Sequence, residues 1–302
     1  MDSSRGGNKM LESDTSDAEA TYGYISSFDT DGFTFGYSDT SFDGYGRNYV
    51  GWQWKANGGT TSSNTTGSIT TTVQANSDAG FNIVTYTGNG SNSNFGHGMS
   101  EQPDMVIVKK RDSAANWCVW HKGLTSSYYV QLDTDISEQT GPWDGLDPSS
   151  GVVFVYNGGL VNASGDDYVA YIFKSKQGFS KFGSYVGNGQ GNNGPFIYTG
   201  FKPAFLMVKP VSITQNWDIH DAVRNPFNPM DKRLLPSLPN AEETRPTSGG
   251  SVDCMDFLAN GIKMRSVESI LNTSGTRYIY MAFAENPFVT SDDGGSIPTT
   301  AR

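Results

Sequence analysis

Tyr168-Val169-Ala170-Tyr171-Ile172-Phe173, entered from Asp167, is apolar or aromatic at every position. Aromatic and β-branched residues suit a pleated strand. A strand without polar alternation is buried on both faces, or has one face against a neighbouring unit. Related stretches stand at Asn48-Tyr49-Val50-Gly51-Trp52 and at Arg277-Tyr278-Ile279-Tyr280-Met281. In all three a glycine (Gly32, Gly151, Gly261) precedes the first tyrosine by 17 residues. It is followed by Phe33-Thr34-Phe35, Val152-Val153-Phe154 or Ile262-Lys263-Met264. The pattern spells a turn that needs glycine, a strand, a variable loop and a second strand.

Two copies also share a front half. Tyr86-Thr87-Gly88-Asn89-Gly90 matches Tyr185-Val186-Gly187-Asn188-Gly189. Pro103-Asp104-Met105-Val106-Ile107-Val108-Lys109 matches Pro203-Ala204-Phe205-Leu206-Met207-Val208-Lys209, 100 positions on, and Asn116-Trp117 matches Asn216-Trp217 at the same offset. Trp117 and Trp217 therefore read as core. Lys9, Leu11, Ala18 and Glu19 map onto Lys232, Leu234, Ala241 and Glu242, 223 positions on. Internal self-similarity of this kind is the mark of a repeat architecture.

The predicted fold class is all-β: tandem antiparallel β-sandwich repeats, jelly-roll-like, each of seven or eight short strands. Residues 1–57 read as the C-terminal half of a unit. Residues 58–78 read as a Gly/Ser/Thr-rich connector with one strand from Ile69 to Val73. Residues 79–177 and 178–289 read as full units, and 290–302 as a loosely held polar tail. Half a sandwich leaves strand edges open. The half unit is expected to belong to a longer upstream chain, or to be completed by the next domain or another subunit.

The formal charge of −10 and pI of 4.7 argue against non-specific nucleic-acid binding. Lys109-Lys110-Arg111 is the longest basic run and reads as a solvated strand end. The longest apolar runs, such as Val152 to Tyr156, are strand-length and far short of the ~20 residues of a membrane span, so no membrane insertion is expected. Met1-Asp2-Ser3-Ser4 has neither the basic nor the apolar region of a signal peptide. Cys118 and Cys254 fall in different units and are expected as free thiols, which fits assembly in a reducing cytoplasm.

Phe179-Ser180-Lys181-Phe182-Gly183-Ser184-Tyr185, Gly194-Pro195-Phe196-Ile197-Tyr198-Thr199-Gly200-Phe201-Lys202-Pro203 and Tyr278 to Phe288 resemble a repeated β-domain of unknown function found in structural proteins of marine tailed bacteriophages. Arg5-Gly6-Gly7-Asn8-Lys9 and Asn48 to Trp52 resemble its upstream unit. The resemblance implies a virion structural protein, a tail fibre, appendage or surface module with a role in host attachment, assembled in the host cytoplasm. Its implied partners are other virion proteins, copies of itself and a host-surface glycan. It carries no catalytic residues and no cofactor. The alternative is a carbohydrate-active sandwich that binds or cleaves glycans.

Few residues point to chemistry. Asp29-Thr30-Asp31-Gly32 opens like a calcium loop, but Thr40 stands where an EF-hand needs Glu, so a plain turn is the simpler reading and no metal is expected. His97, His121 and His220 lack a His or Cys partner at metal-ligand spacing, and His121 and His220, beside the matched tryptophans, read as packed or edge residues. Asp133 and Asp135 share a strand face by spacing, as a glycosidase pair would, but acidic strand ends are usually solvated. The candidate ligand site is the turn Gly141-Pro142-Trp143-Asp144-Gly145-Leu146-Asp147-Pro148. An exposed Trp143 would stack on a sugar ring while Asp144 and Asp147 accept its hydroxyls. The competing reading folds Trp143 back as a cap on the sandwich.

Overall fold

A computed structural model describes residues 1–36, 40–143, 145–245, 254–289 and 298–299. Among the described residues there is no helix. The chain forms antiparallel sheets packed in layers, as a β-sandwich does. In the first large sheet, Cys118–His121, Met105–Lys110, Asp167–Phe173 and Phe81–Thr87 lie side by side in that order. In the second, the order is Asp218–Asp221, Pro203–Pro210, Arg277–Ala284 and Ser180–Val186. Each has a small companion sheet. Ser93–Gly96 pairs Val152–Val155 over the first, and Phe196–Tyr198 pairs Gly261–Met264 over the second. The two segments thus share strand order, at the offsets seen between their sequences.

Side-chain alternation explains the apolar strand Asp167–Phe173. Tyr168, Ala170 and Ile172 face the companion sheet and pack with Phe95, Val153 and Val155. Val169 and Phe173 face the other way, into a core with Ile83, Ile107 and Val119. Met207, Ile219, Ile279 and Met281 from the second sheet enter that same core. Both strand faces are therefore dry, one inside the sandwich and one against the neighbouring segment. Trp117 and Trp217 both lie in this shared core, and Phe173, Phe182, Phe205 and Phe283 meet there with Trp54 in tilted and edge-on contacts. Each such pair is worth about 0.5–1.5 kcal/mol beyond its buried area.

Residues 58–78 do more than connect. They carry two strands rather than one: Ser62–Asn64 pairs Thr71–Asn76, which continues the first large sheet beside Phe81–Thr87. Thr71, Val73 and Gln74 are buried there. The composition is linker-like because alternate residues of an edge strand face water, while the backbone still completes the ladder.

The Gly-Asn-Gly phrase has a steric cause. A Cβ on Gly88 would overlap the Ala163 carbonyl, and one on Gly187 the Thr273 carbonyl. Gly90 and Gly189 hold φ of 71° and 69°. The three aligned glycines differ from the sequence reading. Only Gly151 needs a positive φ, of 114°. Gly261 is required by the close approach of Ile197, and Gly32 has open space around it.

The N-terminal segment forms a strap across the first sheet. Lys9–Met10 pairs Ala20–Thr21, in register Lys9↔Thr21. Lys232–Arg233 pairs Glu243–Thr244 in register Lys232↔Thr244, so both ends of the hairpin obey the 223-residue offset. Tyr128–Gln131 and Gln139–Thr140 form the same hairpin, Tyr128↔Thr140. Behind the strap, Ile25–Phe28 and Phe33–Phe35 form an isolated, largely exposed hairpin.

Candidate functional site

The turn 141–148 does not present a stacking surface. Trp143 is fully buried in the sandwich beside Val153 and Val155, so its indole caps the core and no sugar reaches it. Burying the large aromatic surface outweighs the loss of a partner for its Nε1, which finds none among the described residues. Asp147 is structural too. Its carboxylate accepts Trp120 Nε1 at 3.0 Å, Ser126 Oγ at 3.0 Å and Ser127 N at 2.7 Å, which leaves little acceptor capacity for a ligand. Asp144 lies outside the described residues.

The other candidates also turn inward. Asp29 accepts the hydroxyls of Ser27 and Thr34, both at 2.8 Å, and closes the exposed hairpin. Asp133 and Asp135 do not share a strand face, because the strand ends at Gln131. Asp133 is buried and accepts Trp117 N and Asn116 Nδ2, and burial raises its pKa. His97 is buried beside Ser149, and burial lowers its pKa. His121 accepts Gly123 N on Nδ1 and donates from Nε2 to the Tyr280 carbonyl of the other sheet. Burial pushes its pKa down to about 4, so it sits there neutral.

Asp218 and His220 occupy the inward positions that Cys118 and Trp120 hold in the first sheet. Both are fully buried. Asp218 Oδ2 accepts Arg245 Nη2 at 2.7 Å and lies 3.2 Å from His220 Nε2, off hydrogen-bond alignment. Burial alone would raise the Asp218 pKa, but His220 and Arg245 outweigh it and hold the carboxyl below its ordinary value. Arg245 also pairs Glu268. With Arg245 and Asp218 both enclosed, this cluster ties strands together.

The geometry that stands out is a set of contacts made twice. Trp117 Nε1 donates to the Glu12 carbonyl at 2.9 Å, and Trp217 Nε1 to the Gln131 carbonyl at 2.7 Å. Ala115 N donates to Ser16 O at 2.8 Å, and Gln215 N to Asp135 O at 2.7 Å. Lys109 Nζ reaches Ser16 O at 3.0 Å, and Lys209 Nζ reaches Asp135 O at 3.2 Å. Glu19 N donates to Arg111 O and Glu138 N to Val211 O, both at 2.8 Å. One side of the contact moves by 100 positions and the other by 119. The strap grips the first sandwich as the first grips the second.

The basic run 109–111 is therefore not a solvated strand end. Lys109 is buried, Lys110 pairs Asp166 at 2.5 Å, and Arg111 forks onto both oxygens of Glu19. Burial pushes Lys109 down to about 8 and Lys209 to about 7. Around Lys209 three carbonyls, of Asp135, Pro210 and Gln215, match the three donors of an ammonium. The signal that marks these lysines is their placement in both copies of the Pro103 and Pro203 phrases.

On the first sheet, a groove of about 270 Å³ is lined by Thr70, Thr72, Thr85, Thr87, Arg111 and Asp167. Two buried thiols, Cys118 and Cys254, are free.

A family model described as Domain of unknown function (DUF7483) matches residues 1–287. The chain belongs to this family. One match covers the strap and both large sheets. No curated protein and no solved structure matches the chain.

Proposed function

We propose that this DUF7483 chain is a structural module of a bacteriophage particle, a tail fibre, appendage or surface component that contacts the host without turnover. The observation that supports this reading most is the doubled grip. Using the same backbone carbonyls and the same Lys and Trp donors twice builds a stiff array from one kind of contact, which suits a scaffold that presents many copies of a surface. Exposed Tyr45, Tyr198, Val223 and Phe227 give that surface apolar contact points. Weak sites repeated on such a scaffold gain avidity when several engage one cell.

Antibody raised against the chain and applied to particles from a lysate of the producing strain tests the reading. Gold label on the tail or capsid surface is expected, and unlabelled particles refute it. Host-cell binding by the monomer and by a cross-linked multimer tests the attachment role. Equal, undetectable binding by both would leave a purely structural part.

The second reading, a glycan-binding sandwich, draws on the groove at Thr70, Thr72, Thr85 and Thr87, whose hydroxyls lie beside Arg111 and Asp167. A glycan array probed with the wild-type chain and with Thr85→Val separates the readings. Signal lost in the variant favours the groove.

A further inference from the structure

The grip has three equivalent gripping segments and two gripped sites. Glu12, Gln131 and Leu235 stand at equivalent places in the three matching hairpins, as do Ser16, Asp135 and Pro239, and Glu19, Glu138 and Glu242. The first two segments are docked, on Lys109/Trp117 and on Lys209/Trp217. The third is not. Leu238, Pro239, Asn240, Ala241 and Glu242 are exposed, whereas Ser16, Ala18 and Glu19 in the strap are partly covered. Among the described residues none donates to the Pro239 carbonyl and none accepts from the Glu242 amide. Val223, on the same edge, is 85% exposed, whereas the matching Gly123 is partly covered, and a Cβ there would meet Ser184 and Ile279 of the second sheet.

We infer that Leu235–Glu242 is the docking segment for a second copy of this chain, and that the strap holds the site it would enter. The two segments share Lys, Leu, Ala and Glu at matching positions and the same hairpin register. They share charge logic too. Glu19 is held by Arg5, and Glu242 by Arg224, each arginine in turn pairing Asp2 or Asp221 at 2.5 Å. Arg111, which grips Glu19 within the chain, would meet Glu242 of the incoming copy. Displacing the strap of one copy by Leu235–Glu242 of another makes a head-to-tail contact. Such a contact is heterologous, so chains add one after another, into a ring where the rotation closes and a filament where it does not. The strap thus acts as a cap on self-assembly. The inference stands apart from the proposed particle role, because it rests on contacts within the chain alone.

The test removes the cap. The wild-type chain is expected to sediment as a monomer. A chain lacking residues 1–24 should form oligomers whose size grows with concentration, and added peptide of residues 1–24 should return them to monomers. Glu242→Lys in the strapless chain should abolish assembly by facing Arg111 with a cation, and Arg111→Glu added to it should restore assembly. A folded strapless chain that stays monomeric overturns the inference. So does assembly that ignores the peptide and both charge changes, since that is non-specific association of exposed surface. If the strapless chain does not fold, full-length Glu19→Lys loosens the strap in place. It is expected to assemble and to lose assembly with Glu242→Lys, and a monomer there overturns the inference equally.

Discussion

Trp217→Ala measures whether the two sandwiches fold as one body. The side chain is 1% exposed and its Nε1 donates to Gln131 O of the first segment at 2.7 Å. Truncating a buried tryptophan costs about 3–5 kcal/mol. The Gln131 carbonyl also loses a donor, worth about 1 kcal/mol. The sum is on the order of 4–6 kcal/mol, against the roughly 5–15 kcal/mol that holds a typical domain together. Trp217 lies in the core that Ile107, Val119 and Val169 share with Met207 and Ile279, so the loss should reach both sheets. Urea denaturation followed by hydrogen exchange reads this directly. Peptides covering Val106 to Val119 should lose protection together with those covering Leu206 to Ile219. Trp217→Phe keeps a six-membered ring but removes the donor and part of the indole, so its cost should fall to about 2–3 kcal/mol. If Trp217→Ala melts 178–287 while protection of 81–173 stays unchanged, the shared core is not a cooperative unit and the reasoning fails.

Three further outcomes are expected. Gly88→Ala and Gly187→Ala should each destabilise by about 1–3 kcal/mol, because their Cβ atoms meet fixed carbonyls, while Gly32→Ala stays within about 0.5 kcal/mol; thermal melts compare the three. His121 has its folded pKa depressed to about 4 from 6.5, so its neutral form is the one the fold stabilises. That contribution is complete above pH 6.5 and is lost as the pH falls from 6.5 toward about 4, on the order of 3 kcal/mol; His121→Gln should flatten the stability profile over that window, and an unchanged slope would contradict it. Asp218→Asn should cost about 1–3 kcal/mol by removing the carboxylate that accepts Arg245 Nη2, while Glu268 stays paired to Arg245, whereas solvent-exposed Asp31→Asn should be silent in the same denaturation assay.

The all-β layout was legible in the sequence because it rests on local chemistry. Period-two alternation, aromatic strands and glycines at tight approaches are written residue by residue. The unbroken apolar run from Tyr168 to Phe173 even announced a second covered face. Offsets of 100 and 223 located the matching strands and hairpins, since the same local geometry needs the same side chains. The turn 141–148 misled because proline, glycine and aspartate report a bend but not its direction. Whether Trp143 points out or in depends on space left by Val153 and Val155, residues that follow it in sequence but belong to another layer. Lys109 and Arg111 misled for a related reason. A lysine run looks solvated until another part of the chain brings carbonyls and a carboxylate to it. Local sequence thus determined strands, turns and the kinship of segments, because those depend on neighbours a few residues apart. The tertiary structure alone decided which segment grips which, that the two sheets share one core, and that the strap fills the first grip while residues 238–242 are left exposed. Those are contacts between atoms some hundred residues apart, and only the folded chain brings them together.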